Sequence, residues 1–231
     1  MNPRLSPPTP LPQAGEGSER LRQRYNLGFT AASLRLELAR IVAEAYAATG
    51  DWEAAREHVL THNALQARST SSAIRMEREL RQRLRTLTDE QLRLLTSAPS
   101  DSAMAMAWLS VCKFSAFIFD FAAEVLRAKL DLLDPVLRPS DYEAFVTARG
   151  LEHPELGELS PSTQTKIRTV LMTMLREVKI LTPDRRNFMI EKPILSPDVL
   201  AAILADDRRW LAGFLVSDAE IAALRESYRD L

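Results

Sequence analysis

Apolar side chains recur at every third or fourth position along most of the chain, which is the spacing of one buried face of an α-helix. In the first such stretch Leu34 and Leu38 share a face, and Gly50 is placed to end the helix. Asp51 and Ser160 precede further stretches as N-cap residues. The pattern predicts helices over about 34–49, 52–63, 69–87, 101–134 and 160–178, and further helices that begin near 88, 140, 196 and 217.

One place in the chain has the turn-bounded pattern of strands. The segments 179–182 and 188–191 flank a turn at 183–187, so we expect a short β-hairpin there. Glycine is scarce, with 7 residues among 231, while Ala, Leu, Arg and Glu are abundant. This composition favours helices over sheets. The predicted fold class is therefore all-α, a helical globular protein.

Two shifts in composition divide the sequence. Residues 1–22 are rich in proline and lack an apolar period, which predicts a disordered N-terminal segment. The run 134–139 contains two prolines and marks a boundary between two helical subdomains. We expect an N-terminal subdomain over 23–134, which contains the long central helix, and a C-terminal subdomain over 135–231.

The most apolar stretch of the chain extends from Ala103 to Leu126. Lys113, Asp120 and Glu124 interrupt it, whereas a membrane-spanning helix needs roughly 20 apolar residues with few charges. We interpret the stretch as the buried central helix of a bundle, with membrane insertion as the alternative. The protein is thus predicted not to be embedded in a membrane.

Overall charge indicates no particular partner, because the formal net charge is -1. Arginine outnumbers lysine by 25 to 5, which suits nucleic-acid binding but equally suits the codon bias of a GC-rich genome. The single Cys112 excludes an internal disulfide, and no apolar signal-peptide core is visible at the N-terminus. We therefore expect a cytoplasmic protein that is a monomer on its own.

The helix predicted over 69–87 has one apolar and one basic side. Its basic side carries Ser71, Arg75, Arg78, Arg81 and Arg85. From residue 68 to residue 85, six arginines against two glutamates give a net charge of +4. Such a helix can lie in the DNA major groove, with the helix over 52–63 as the supporting element of a helix-turn-helix. An ordinary solvated helix with a charged outer face explains the same pattern.

A second basic segment covers residues 161–192. A helix is followed directly by the predicted hairpin, whose tip carries Arg185 and Arg186, and this is the element order of a winged helix. Seven cations against three carboxylates between 166 and 192 again give +4. This order is compatible with a helix-turn-helix unit that is winged by the hairpin. The alternative is a helix and a hairpin that merely close the domain.

Candidate chemistry is sparse. His58 and His62 share a helix face, but Val59 stands where a zinc protease would have its glutamate, so a surface pair is the better interpretation. Cys112 lies within the apolar stretch and is expected to be buried and inert. No glycine-rich phosphate loop is recognisable. We predict no catalytic residues, no metal and no cofactor, and a protein that is not an enzyme.

Several runs of the sequence resemble the BrxA family of bacteriophage exclusion (BREX) systems, in order and spacing over about 25–214. These runs are 25–29, 68–73 with 78–80, 159–168 and 192–197, together with Phe214. The resemblance implies a small, non-enzymatic, all-helical protein with two helix-turn-helix segments and affinity for double-stranded DNA. It also implies that the partners include other BREX subunits of a phage-defence system.

The resemblance also implies which residues contact DNA. Its arginine, lysine and hydroxyl positions fall here at Arg68, Ser69, Thr70, Ser71, Arg75 and Arg78, and then at Thr163, Lys166 and Arg168. The competing hypothesis is a protein–protein adaptor of the defence complex, in which the basic faces are ordinary surface and no DNA is contacted.

Overall fold

The computed structural model describes residues 24–29, 33–184 and 187–227, so the predicted disordered segment 1–22 lies outside the described residues. The described chain contains eleven α-helices and three short strands. In chain order the helices are α1 (Leu36–Thr49), α2 (Trp52–Thr61), α3 (Thr70–Leu84), α4 (Asp89–Ser97), α5 (Ser100–Phe114), α6 (Ala116–Asp120), α7 (Arg127–Asp131), α8 (Pro139–Gly150), α9 (Pro161–Glu177), α10 (Pro197–Leu204) and α11 (Asp218–Ser227). The predicted all-α class is confirmed.

Most helices begin and end where the capping signals predict. Gly50 takes the left-handed conformation, with φ 68°, and ends α1. The Asp51 side chain accepts hydrogen bonds from two backbone N–H groups at the start of α2. α8 begins at Pro139, within one residue of the predicted start, and the Asp141 carboxylate accepts a hydrogen bond from the Arg138 N–H at 2.7 Å.

The predicted long central helix is broken. Ser115 has an extended backbone, and the axis turns by 113° between the helix before it and the helical run Ala116–Asp131 after it. The run includes a π-helical turn at Phe121–Leu126. In the described part of the chain no single helix is long and apolar enough to cross a membrane, although this bent pair passes the same test jointly by length and composition.

The first described residues pack into this bend. The Ser115 hydroxyl donates to the Asn26 carbonyl oxygen at 2.8 Å, and the Tyr25 hydroxyl donates to Asp120 at 2.8 Å. The Tyr25 N–H donates to Glu155 at 2.6 Å, and its ring stacks on His153 at 3.6 Å between centroids. Residues 24–29 therefore connect the middle of the chain to its second half.

A single hydrophobic core runs through both predicted subdomains. Trp108 is fully buried in α5, and its indole N–H donates to the Gly213 carbonyl oxygen at 2.9 Å. Phe117 and Phe121 pack edge-on or tilted against Tyr142 and Phe145 of α8. These contacts bury apolar surface from both sides of residue 134 in the same cluster.

The hairpin forms, in a sheet of three strands rather than two. Its strands are β2 (Leu181–Asp184) and β3 (Asn187–Ile190), and β1 (Val136–Leu137) pairs with the other edge of β3. All pairings are antiparallel, and the spatial order is β1-β3-β2. The sequence pattern does not predict β1, because a strand of two residues is too short to show an alternation of apolar and polar positions.

Candidate nucleic-acid interface

Helix α3 is the centre of the first basic segment. The Ser69 hydroxyl caps it by accepting from the Ser72 N–H at 3.3 Å. Ala73, Leu80 and Leu84 bury its apolar side in the core, as the sequence pattern predicts. The three hydroxyl residues predicted to meet DNA, Ser69, Thr70 and Ser71, are all exposed at this end of the helix.

The first glutamate of the helix faces inwards. Glu77 is fully buried, and Arg81 donates to it through Nε at 2.7 Å. Arg81 also donates to Glu53 of α2 at 2.8 Å, and its side chain is 13 % exposed. Arg81 thus lies between two carboxylates rather than free on the basic side of the helix. That it contacts DNA stays a prediction.

The second glutamate is also buried. Glu79 pairs with Arg83, which is 2 % exposed. Arg83 further donates to the carbonyl oxygens of Ser33 at 2.9 Å and Phe29 at 3.2 Å. Burial lowers the pKa of Arg83, whereas the neighbouring carboxylates of Glu79 and Glu177 raise it.

Four arginines remain on the outer side. Six arginines between 68 and 85, less the two that pair with glutamates of the same helix, leave the four residues Arg68, Arg75, Arg78 and Arg85. All four are exposed, and no described carboxylate lies within ion-pair distance of them. The segment's excess charge of +4 is thus concentrated on one solvent-facing surface, which we call the α3 arginine face.

The second basic segment begins with α9. Ser160 caps it by accepting from the Thr163 N–H at 3.3 Å, and Lys166 is exposed. Arg168 lies 3.7 Å from Glu143 of α8 and 5.5 Å from the centroid of the Tyr142 ring. Burial raises the pKa of Tyr142 to about 12, against the opposing effect of the Arg168 charge.

Other cations of this segment also meet carboxylates. Lys179 pairs with Asp101 at 2.8 Å, and Lys192 pairs with Glu220. The Lys192 ammonium and the Ser217 donors lower the pKa of Glu220 to about 2. Arg185 and Arg186, predicted at the hairpin tip, lie outside the described residues. The described part of the segment is therefore less positive at its surface than its sequence suggests.

One basic residue near α3 has no signal in the sequence pattern. Arg35 precedes α1 with a left-handed backbone, φ 47°, and its side chain is directed to α3, where Nη1 lies 3.5 Å from the Met76 sulfur. It is exposed, and no described carboxylate pairs with it. Forty positions separate it from Arg75, so only the packing of α1 against α3 reveals their proximity.

The candidate metal ligands His58 and His62 contact each other, and the candidate nucleophile Cys112 is buried. His62 Nδ1 lies 2.8 Å from the His58 carbonyl oxygen, and the two rings are 4.5 Å apart. Throughout the described ranges, no three His, Cys, Asp or Glu residues cluster closely enough to hold a metal ion. Cys112 is buried, and burial raises the pKa of its thiol. That the protein is not an enzyme stays a prediction.

The fold and the α3 arginine face define a mainly helical protein that carries a concentrated cationic surface on its described residues. The chain belongs to the BrxA family, whose model matches residues 23–207. "BREX protein BrxA" of Escherichia coli O9:H4 (strain HS) is 27 % identical over 165 residues, which cover 71 % of this chain and 76 % of the relative. The protein of the same name from Paramagnetospirillum magneticum (strain ATCC 700264 / AMB-1) is 22 % identical over 81 % of this chain and 94 % of its own length.

A solved structure supports the fold. The crystal structure of an uncharacterized protein from Magnetospirillum magneticum superposes with a TM-score of 0.72, covering 84 % of this chain and 98 % of that one. The two sequences are 20 % identical, so the likeness concerns the fold alone.

Proposed function

We propose that this chain is a non-enzymatic, double-stranded-DNA-binding component of a BREX phage-defence system and that it works together with other BREX subunits. The observation that carries the DNA-binding part is the α3 arginine face, four exposed arginines without described carboxylate partners. The defence role rests on membership of the BrxA family and on the name of its curated relatives.

Phosphate contacts account best for such a surface. Arginine matches phosphate oxygens with two parallel hydrogen bonds, and each neutralised phosphate releases condensed counterions. Helices α2 and α3 follow each other closely and pack together, as the two helices of a helix-turn-helix do. In this arrangement α3 faces the duplex, and Ser69, Thr70 and Ser71 lie at its N-terminal end.

The second segment supplies a smaller contact. The order β1, α8, α9, β2 and β3 is that of a winged helix, with α9 in the position of the recognition helix. Two of its exposed cations, Lys166 and Arg176, have no described carboxylate partner, and the Arg176 guanidinium donates to the Thr173 hydroxyl at 3.4 Å. We therefore assign most of the phosphate contacts to α3.

The test is a fluorescence-anisotropy titration of a random-sequence duplex at several salt concentrations. Arg75→Ala/Arg78→Ala should weaken binding to all sequences and lower the slope of log K against log salt by about 1.8, since each phosphate contact contributes about 0.9. The matched control is Arg93→Ala/Arg209→Ala, which removes two exposed arginines that pair with Glu90 and Asp207. No binding by the unaltered protein at about 50 mM salt would contradict the proposal.

A protein–protein adaptor is the second candidate, and one observation favours it. Ile194 is 98 % exposed and borders an apolar groove of about 490 Å³, lined in part by Leu200, Val216 and Leu224. In the adaptor hypothesis, Ile194→Ser weakens co-purification of BREX subunits and the unaltered protein does not bind duplex DNA. Duplex binding that Ile194→Ser leaves unchanged would favour the first candidate.

A further inference from the structure

A surface cavity of about 340 Å³ lies where the loop after α2, the start of α3 and the start of α1 meet. This size falls within the roughly 300–1,000 Å³ of small-ligand sites. Its polar lining comes from Arg35, Gln66, Arg68, Ser72 and Arg75. Met76 and the buried Leu65 form apolar parts of the wall.

The charge of this cavity is one-sided. Three arginines line it, and none of the described residues that line it is acidic. No described carboxylate pairs with Arg35, Arg68 or Arg75. Like charges brought together by three separate parts of the chain repel one another, so the arrangement costs free energy unless an anion occupies it.

The loop that forms one wall is held in place without a ligand. The Asn63 side chain accepts from the Ala67 N–H at 3.1 Å and donates to the Ala67 carbonyl oxygen at 3.3 Å. The Gln66 N–H donates to the Asn63 carbonyl oxygen at 2.8 Å. Because Asn63 is hydrogen-bonded to Gln66 and Ala67, residues 63–67 are already ordered, and little of their conformational entropy remains to be lost when a ligand binds.

We propose that this cavity, which we call the Arg35 pocket, binds a phosphate group. The planar forks of three arginines fit the oxygens of a multiply charged phosphate, and Ser72 and Gln66 add neutral donors. The phosphate belongs either to the DNA backbone, in which case the inference rests on the proposed function, or to a free phosphorylated molecule. Arg35 is then a phosphate ligand that lies outside both helices of the predicted helix-turn-helix.

Isothermal titration calorimetry with inorganic pyrophosphate tests the pocket itself. Arg35→Asn is the informative variant, because asparagine tolerates the left-handed backbone at this position better than most residues. The matched control is Arg93→Gln in α4, an exposed arginine that belongs to neither basic segment and does not line the pocket. We expect saturable binding that Arg35→Asn weakens about 10-fold or more and that Arg93→Gln leaves within about twofold. Pyrophosphate binding that Arg35→Asn does not change would overturn the assignment.

Duplex titrations with the same variants identify the source of the phosphate. If pyrophosphate competes with duplex, or if only duplex binds and Arg35→Asn weakens it, the pocket holds a backbone phosphate. If pyrophosphate binds through Arg35 while duplex does not bind or is not displaced, the pocket serves a free phosphorylated ligand. Pyrophosphate binding through Arg35 supports the pocket even if the protein does not bind duplex DNA. No pyrophosphate binding together with unchanged duplex affinity in Arg35→Asn would refute the proposal, provided that circular dichroism shows the variant folded.

Discussion

Two segments carry the same net charge of +4 in sequence, but the ion pairs that they form in the folded chain differ. In α3 the two glutamates turn into the core and pair with arginines of the same helix, which leaves four arginines exposed. In the segment 161–192 three of the described cations, Arg168, Lys179 and Lys192, each meet a carboxylate of another element, whereas Lys166 and Arg176 meet no described carboxylate. Equal sums of charge therefore correspond to a concentrated cationic face in one segment and to a surface whose described cations are partly neutralised in the other.

The ion pairs of the two segments differ in how far apart their partners lie in the sequence. Glu77 with Arg81 and Glu79 with Arg83 are spaced i, i+4, so each pair meets on one helix without help from the rest of the fold. The partners of the second segment come from positions as distant as Asp101, and only tertiary packing brings them near.

The largest effect that we expect concerns the pairing of Arg83 with Glu79. Arg83→Met leaves the Glu79 charge without its arginine in the core, which should lower the free energy of unfolding by about 3–5 kcal/mol. Urea denaturation measures this loss. The exposed Arg85→Met should change stability by less than about 0.5 kcal/mol. An equally small loss for Arg83→Met would show that the inward pair does not hold the helix as described.

The comparison of the two segments predicts unequal losses of DNA affinity. Arg75→Ala/Arg78→Ala should cost about 10-fold or more in affinity for random duplex, because neither side chain pairs with a described carboxylate. Lys166→Ala/Arg168→Ala should cost less and lower the salt slope by about 0.9 at most, because Glu143 already compensates Arg168. Anisotropy titrations at matched salt measure both. Equal losses would mean that the carboxylate partner does not weaken the second segment.

A smaller gain should follow when the second segment is freed of its acids. Asp101→Asn/Glu143→Gln removes the partners of Lys179 and Arg168 and should raise duplex affinity by a few-fold, since exposed pairs are worth about 0–1 kcal/mol. The control Glu90→Gln frees Arg93, which belongs to neither segment, and should change affinity less. If the control gains as much duplex affinity as the double variant, the gain results from the change in net charge and not from the freed cations of the second segment.

The smallest effect is a pH dependence of stability. Burial raises the pKa of Glu77 above its ordinary value of 4.5, although Arg81 opposes this. Because the folded-state pKa is the higher one, the stabilisation by this group is complete below the unfolded pKa and is lost as pH rises through the folded pKa. We therefore expect the free energy of unfolding of the unaltered protein to fall relative to that of Glu77→Gln as pH rises from the unfolded to the folded pKa. Urea titrations at several pH values measure this difference. A difference that rises with pH would show that Arg81 outweighs burial.

Much of the fold follows from local signals in the sequence. Asp51, Ser160 and Gly50 act within one turn of themselves, so they mark helix ends correctly without knowledge of the tertiary structure. The bend at Ser115 could not be predicted, because the apolar pattern continues through it and its partner Asn26 is 89 positions away.

The candidate site was predictable in part for the same reason. The exposed Arg75 and Arg78 lie where helical periodicity places them. Arg81 follows the same period, but its inward turn depends on Glu77 and on Glu53 of a neighbouring helix. Arg35 joins the surface only through the packing of α1 on α3, which no local pattern encodes.

The contacts of Tyr25 and Asn26 at the bend have a consequence for the order of folding. Ser115, Asp120 and Glu155, which hold these two residues, lie 89 to 130 positions further along the chain. When only the first 100 residues of a nascent chain have left the ribosome, none of these three partners is yet available. Since contacts between distant residues form slowly, we expect α1 to α4 to assemble first and the start of the described chain to dock late, once the C-terminal half has been synthesised.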